Sequence, residues 1–359
     1  MRIAVVGCGQ IADAHIQEAR KIDGVEVVAV CDANLHMAEQ AALRLAVPAS
    51  YTDLERMLSE HKPDIVHITT PPATHLSIGR LAIAAGAHVY VEKPLTLELR
   101  ETDELLEWAL RHRRLVCVGH NHAFDAPALR ARELFRSGLI GEVVHVEAMM
   151  GYDLTGAFGG AIMGDANHWV HGLPGGLPHN NISHPLSLVV PFLGEDAPSV
   201  TAVGRRLRPQ RFGDRRDDWF DEIRVLLHAG GASAAITFSC RVRPVQMALA
   251  VYGTRQHVLA SLESRTLRTV APATAPGPFR RLQLARRDAV EARREFRGRV
   301  RDFLHARLQF FEGMNELMRQ FYAATRGEGP EPIPASEARR VSWLIDEIFE
   351  RCRAAEGAP

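Results

Sequence analysis

Two short stretches carry residue types that can do chemistry. The run Val89-Tyr90-Val91-Glu92-Lys93-Pro94 ends an apolar stretch on an acid, an amine and a ring-locked residue. An amine held beside a reacting centre can bond a substrate hydroxyl and help move its proton. The second stretch is Gly7-Cys8-Gly9-Gln10-Ile11-Ala12, which follows the apolar residues 3–6 and precedes a helical pattern reaching about Lys21. A GxGxxA sequence between a strand and a helix fits a dinucleotide pyrophosphate. Gly7 permits the tight turn, Gly9 lets backbone approach the phosphates, and Ala12 lets the helix pack on the strand. The helix start, with Gln10 and Ile11, then offers free N–H groups and a positive dipole end. Asp32 closes a second apolar run, residues 25–31, roughly 20 residues past the glycines. A carboxylate there accepts bonds from the ribose hydroxyls and repels a 2′-phosphate, so the pattern predicts NAD in preference to NADP. The plainer readings are a tight turn with Asp32 as a loop acid, and a surface lysine after a strand. Agreement of strand, helix and spaced acid favours the cofactor.

The elements that must position these residues alternate. Helical patterns over residues 35–46 and 53–59 precede a third strand, 64–69, which ends in Thr70-Pro71-Pro72. Thr74 is placed to cap a helix running to Ala85, Gly86 to close it, and residues 88–91 to form a fourth strand. Strands alternating with helices predict a doubly wound parallel α/β sheet, with ligands outside the carboxyl ends of its strands. Lys93, Gly7, Gly9, Thr69 and Thr70 then share one edge. There Glu92 would pair with or orient Lys93, and Pro94 would fix the turn, with a cis bond compatible.

The chain has 359 residues, long enough for two domains. Its 43 Lys and Arg balance 43 Asp and Glu, so charge points neither to nucleic acid nor to an anionic membrane. Five scattered cysteines without a CxxC pair suggest neither a disulfide framework nor a cysteine zinc site. A reducing cytoplasm is the expected location. The first apolar run is too short for a signal peptide, and none approaches the ~18 residues of a membrane helix.

In order along the chain, five segments resemble motifs of the Gfo/Idh/MocA oxidoreductase family. They are Val6-Gly7-Cys8-Gly9-Gln10-Ile11-Ala12, Thr70-Pro71-Pro72-Ala73-Thr74-His75, Glu92-Lys93-Pro94-Leu95, Gly119-His120-Asn121 and Gly138-Leu139-Ile140-Gly141-Glu142-Val143. The resemblance implies a Rossmann domain over residues 1–122. It also implies an α+β domain over 123–359, with a large, mostly antiparallel open sheet used for homo-oligomerisation as a dimer or tetramer. A C-terminal helix would pack back on the first domain. The implied activity is NAD(P)-dependent hydride transfer on a sugar, cyclitol or nucleotide-sugar, with Lys93 as the catalytic lysine. Thr70, Pro71, His75, Glu92 and Asn121 join the expected cofactor contacts.

The second-domain segment Gly175-Gly176-Leu177-Pro178-His179-Asn180-Asn181-Ile182-Ser183-His184 keeps the family's histidine as His184. Asn180 stands where an aspartate is common, and an amide can position a hydroxyl but takes no proton. Proton handling then falls on Lys93, His184 or both. His122 occupies a place where the family often has arginine. Asn180, His120, His122, Trp169 and His179 are the expected substrate contacts, Trp169 as a stacking face or as core. The histidines 168, 171, 179 and 184 match no recognised zinc spacing, so no metal is expected. Transient oxidation leading to elimination or glycoside cleavage, or a non-catalytic cofactor sensor, stand as alternatives.

Further strands are expected over residues 142–152, 200–206, 222–227, 234–240, 247–252 and 257–261. Residues 156–164, with four glycines, read as a mobile loop, and 205–218 as an exposed charged segment. A hinge over 272–278 leads to the arginine-rich helical stretch 280–307. Interleaved acids there point to a solvated face packed on its own subunit or a neighbour. Helices over 310–322 and 337–353, the latter capped by Ser336, complete the chain.

Overall fold

The computed structural model describes residues 1–207, 210–212, 215–217, 219–304 and 311–356. Six strands form a parallel sheet: β1 (Arg2–Val6), β2 (Glu26–Cys31), β3 (Ser50–Tyr51), β4 (Ile65–Ile68), β5 (His88–Val91) and β6 (Val116–Val118). Their order, β3-β2-β1-β4-β5-β6, reverses direction at β1. Except for the two-residue edge strand β3, the strands are short, largely apolar runs buried on both faces, as a sheet covered by helices demands. The covering helices are α1 (Ala12–Arg20), α2 (Leu35–Arg44), α3 (Leu54–His61), α4 (His75–Ala84) and α5 (Leu99–Arg111), while α6 (Ala126–Arg136) packs on the second sheet. Asn34 and Asp53 cap α2 and α3 through their side chains. Thr74 does not cap α4. A 3₁₀ turn over Pro72–Thr74 runs straight into that helix, and the Thr74 hydroxyl turns back to Thr70 Oγ1 and the Pro71 carbonyl.

The second sheet has seven strands in the order β15-β14-β13-β7-β12-β11-β8. They are β7 (Val143–Gly151), β8 (Ser199–Arg205), β11 (Glu222–Ala229), β12 (Ala232–Ser239), β13 (Met247–Gly253), β14 (His257–Ser261) and β15 (Thr266–Val270). All neighbours pair antiparallel except β7 with β12. Burial alternates along β11 and β12, so one face is covered and the other open. The covered face receives α9 (Ser183–Val189), with α8 (Gly176–Asn181) just before it.

Several elements depart from expectation. Residues 157–164 form a helix, α7 (Ala157–Gly164), instead of a loop. Gly159 serves close packing: a Cβ there would clash with the Asp153 carbonyl oxygen. Within 205–218 a hairpin of β9 (Gln210–Phe212) and β10 (Arg215–Asp217) appears, while 208, 209, 213, 214 and 218 lie outside the described residues. The arginine-rich helix is α10 (Phe279–Leu304), and residues 305–307 and Phe310 also lie outside. Its acids face β15, where Asp288 meets Arg268 and Glu291 accepts the Thr269 amide. Phe279, Phe296 and Phe303 face outward.

The last helices join the two sheets. α11 (Glu312–Thr325) lies against α1, where Asn315 donates to the Glu18 carbonyl. α12 (Ala335–Glu356) lies between α5 and β8, and Asp346 accepts the Leu99 amide at 2.8 Å. Ser336 falls inside α12, and the Pro334 carbonyl receives the Glu337 and Ala338 amides.

Candidate active site

The glycine turn is built for close approach. Gly7 has φ +96°, and a Cβ there would meet Thr69 and Thr70 backbone at 2.8 Å. Only glycine fits such a position. A Cβ on Gly9 would meet nothing within 4 Å, so the surface above it lies open to a ligand. α1 starts three residues later, and no side chain among the described residues caps it. Gln10 is exposed and Ile11 half-buried at this helix start. Asp32 accepts the Cys8 amide at 2.7 Å on Oδ2 and the Asn34 amide at 2.8 Å on Oδ1. Each oxygen retains a second lone pair. This open cradle, helix terminus and acid suit a dinucleotide.

Thr69, Thr70 and Pro71 follow β4 beside the turn, and the Thr69 hydroxyl donates to the Gly7 carbonyl at 2.6 Å. Pro71 is exposed. His75 differs from the expected cofactor contact. It is fully buried, with Nε2 2.8 Å from the Thr70 carbonyl and Nδ1 3.1 Å from the Pro94 and Leu95 carbonyls. Both nitrogens are spent on backbone, so the ring ties the two loops together and offers no polar atom to a ligand.

At the end of β5 the Lys93–Pro94 bond is cis. The Lys93 amine donates to the main-chain carbonyl of Asn180 at 3.2 Å, which links the first sheet to α8. Burial lowers its pKa, opposed by the Glu92 charge. Burial alone would raise Glu92. The bond from His15 and the charges of His15 and Lys93 outweigh it, and the carboxyl sits below its ordinary value. Beyond β6, Asn121 accepts from the Tyr90 hydroxyl at 2.7 Å, and His122 bonds Asp125 at 2.9 Å. His120 is buried, and burial, with Lys93 nearby, pushes its pKa down to about 3 against the pull of Glu92.

The opposite wall is α8 and α9. Gly175 and Gly176 let it close down: a Cβ on either would fall 2.3 Å from Phe349 or 2.6 Å from Trp219. His184 is buried, its ring 4.7 Å from that of His122. Burial first, then His122, Lys93 and His120, hold its pKa well below the ordinary value. Lys93, His120, His122, Asn180 and His184 thus come together from β5, β6, α8 and α9. The Nδ1 atoms of His120 and His184, the Asn180 Oδ1 and the Ser183 hydroxyl are buried with no partner among the described residues.

One expected substrate contact stands apart. His179 packs against Phe349 of α12, ring centroids 5.3 Å apart, and burial with Arg353 brings its pKa to about 4. Trp169 is 38% exposed, its ring tilted on His168. Among the described residues, no group of three or more metal-ligating side chains could hold an ion.

Sequence reasoning missed a buried polar chain behind Glu92: His15, His67 and Tyr322. One signal was available. Ala12, His15, Ile16 and Ala19 recur at helical spacing, so His15 falls on the face that α1 buries.

Residues 1–120 match the oxidoreductase family with an NAD-binding Rossmann fold, and residues 128–258 match the GFO/IDH/MocA C-terminal domain. The chain is 30% identical over 144 residues to a D-glucoside 3-dehydrogenase of Escherichia coli (strain K12), covering 40% of this chain and 41% of that protein. It is 36% identical over 151 residues to an inositol 2-dehydrogenase of Gluconacetobacter diazotrophicus, covering 41% and 44%. The matches thus span less than half the length of these relatives. The fold is similar to that of the WlbA dehydrogenase from Bordetella pertussis in complex with NADH and UDP-GlcNAcA. That likeness has TM-score 0.78 and 19% identity, and covers 99% of this chain and 96% of that one. The two matched segments, the reversing parallel sheet and the open mixed sheet lead to one conclusion: the chain belongs to the GFO/IDH/MocA oxidoreductase family.

Proposed function

We propose that the protein moves a hydride between NAD and a hydroxyl-bearing carbon of a sugar, cyclitol or nucleotide-sugar. The observation that carries this reading is the amine of Lys93 beside Asn180, close to buried polar atoms of α8 and α9 that lack partners among the described residues. Unpaired buried polar groups cost about 1–3 kcal/mol each. A polyhydroxylated ligand would satisfy them.

When bound, NAD supplies the two-electron acceptor. Gly7, Gly9, Gln10 and Ile11 would hold its pyrophosphate, Asp32 its adenosine ribose, and Thr70, Pro71, Glu92 and Asn121 the surface beneath the nicotinamide. Asp32 would disfavour the 2′-phosphate of NADP. Lys93 and His184 share the proton. Burial favours the neutral form of both, the form in which a side chain can accept a proton from a substrate hydroxyl. Asn180 and His120 would position hydroxyls, and the exposed face of Trp169 would stack on a sugar ring. His122, fixed by Asp125, would support His184.

The nucleotide half is taken to end near residue 122, and residues 123–359 to form the substrate half. The five cysteines are all free and buried, which suits a reducing cytoplasm. The open face of the seven-stranded sheet suits association of copies. No helix among the described residues is long and apolar enough to cross a membrane.

A panel of sugars, inositols and nucleotide-sugars, followed by NADH absorbance with NAD and NADP, tests the reading. Net reduction of NAD by at least one member is expected. Tight NAD binding with no turnover across the panel would favour a sensor.

A further inference from the structure

Behind the Lys93 loop lies a run of buried polar groups that the proposed chemistry does not use. Tyr322 of α11 meets His67 Nε2 at 2.8 Å. His67 Nδ1, from the middle of β4, meets His15 Nδ1 at 2.9 Å. His15 Nε2, on α1, meets Glu92 Oε1 at 3.0 Å. The second oxygen of Glu92 accepts the Lys93 backbone amide at 3.2 Å. Tyr322, His67 and His15 are fully buried, and the Tyr90 ring stacks on His67 at 4.9 Å.

The donor and acceptor inventory fixes the direction of this chain. Glu92 is held ionised and can only accept, so His15 carries its proton on Nε2. If His15 is neutral, its Nδ1 must accept, so His67 carries its proton on Nδ1. His67 Nε2 then accepts from the Tyr322 hydroxyl. The reverse arrangement needs a charged His15 and an acceptor for the Tyr322 proton. No such acceptor is recorded among the described residues. Burial also drives His67 strongly toward its neutral form. With His15 neutral, every proton points toward Glu92; a charged His15, the state that also lowers Glu92, would leave the Tyr322 proton without an acceptor among the described residues.

We infer that His15, His67 and Tyr322 are positioning residues: a one-way buried hydrogen-bond chain holds the Glu92 carboxylate on His15 and so keeps it off the neighbouring Lys93 amine. Glu92 and Lys93 are adjacent and of opposite charge, yet the amine reaches across to Asn180 instead. With both carboxylate oxygens engaged, the amine stays available to a substrate hydroxyl. The catalytic side of this inference rests on the proposed dehydrogenase reading, but the proton arrangement does not.

The test has two arms, both on the full chain. Nitrogen-15 NMR of labelled histidines should report the Nε2–H tautomer for His15 and the Nδ1–H tautomer for His67, with His67 shifting in Tyr322→Phe. An Nε2–H His67 in the wild type, or no change in Tyr322→Phe, would overturn the chain whatever the protein catalyses. In the kinetic arm, His15→Leu should lower kcat about tenfold, as expected for one lost buried hydrogen bond, while NAD affinity is kept. Freed to pair with Lys93, Glu92 would stabilise the ammonium, so the rising limb of the rate profile should move to higher pH. His15→Gln, which can still donate to Glu92, should restore both. The other titratable groups facing the chain are Tyr90 on β5, Cys117 on β6, and Lys93 and His120 at the strand ends. Unchanged kcat and pH profile in His15→Leu and Tyr322→Phe would overturn the positioning role. Absence of turnover in the wild type would instead remove the dehydrogenase reading and leave the NMR arm to decide the chain.

Discussion

The two walls of the cleft treat buried polar atoms in opposite ways. On the strand-end wall Glu92, His15, His67, His75, Tyr90 and Tyr322 all have partners within the chain. On the helical wall Asn180, Ser183 and His184 keep buried atoms with none among the described residues. Apart from the unpartnered Nδ1 of His120, the first wall is a finished hydrogen-bond system that fixes geometry. The second is an incomplete one, as a surface shaped for a ligand rich in hydroxyls would be. Lys93 spans the two.

The sharpest way to break this contrast is to remove the spanning group. Lys93→Met should cut turnover by about 10²–10⁴-fold while NAD binding persists, because loss of a general acid–base group has that size. Stopped-flow rates beside NAD titration would show it, and a near-normal rate would take Lys93 out of the mechanism.

The glycine turn gives the next test. Gly7→Ala should cost roughly 1–3 kcal/mol of stability, since φ +96° and the Thr69–Thr70 backbone exclude a side chain. Gly9→Val should leave stability nearly unchanged and weaken NAD binding, because space at Gly9 is open only without the cofactor. Denaturant midpoints with NAD titration separate the two.

Acid lability should single out the buried histidines. His120 and His179 have folded-state pKa values of about 3 and about 4, below the ordinary value of the unfolded chain. The unfolded state therefore binds protons first as pH falls, so stability is full above about pH 6.5 and is lost below it. Each histidine should cost roughly 2 kcal/mol by pH 5. His179→Leu should flatten part of that slope in thermal melts and leave turnover intact, because its ring faces Phe349. A loss of substrate affinity would return His179 to the substrate contacts.

The smallest effect concerns cofactor choice. Asp32→Ser should narrow the preference for NAD over NADP by about tenfold, the worth of one charge-assisted bond. A ratio that does not move would mean Asp32 serves the Cys8 amide alone.

What the sequence made legible was whatever local pattern dictates. The buried strands and the GxGxxA turn follow from periodicity and spacing, and the meeting of Lys93 with the 180–184 segment from the family motifs; the caps Asn34 and Asp53 went unread, whereas Thr74, which the pattern suggested, forms none. What it hid depends on packing between distant segments. His67 reads as one polar residue in the apolar run Ile65–Ile68, and nothing local reveals Tyr322, 255 positions away, as its partner. His75 and His179 carry the residue type of a ligand contact, but only tertiary contacts decide whether a ring faces a cleft, a carbonyl or Phe349. Residues 156–164 look like a loop because glycine usually marks one, whereas here glycine admits the Asp153 backbone to the side of a helix.

The most direct test of the central claim is a crystal structure of the NADH-bound protein. The reactive carbon of the nicotinamide should lie between the Lys93 amine and the His184 ring, within about 4 Å of a hydroxyl-sized site that both reach. A nicotinamide seated away from Lys93, or a pyrophosphate held elsewhere than over Gly9, would contradict it.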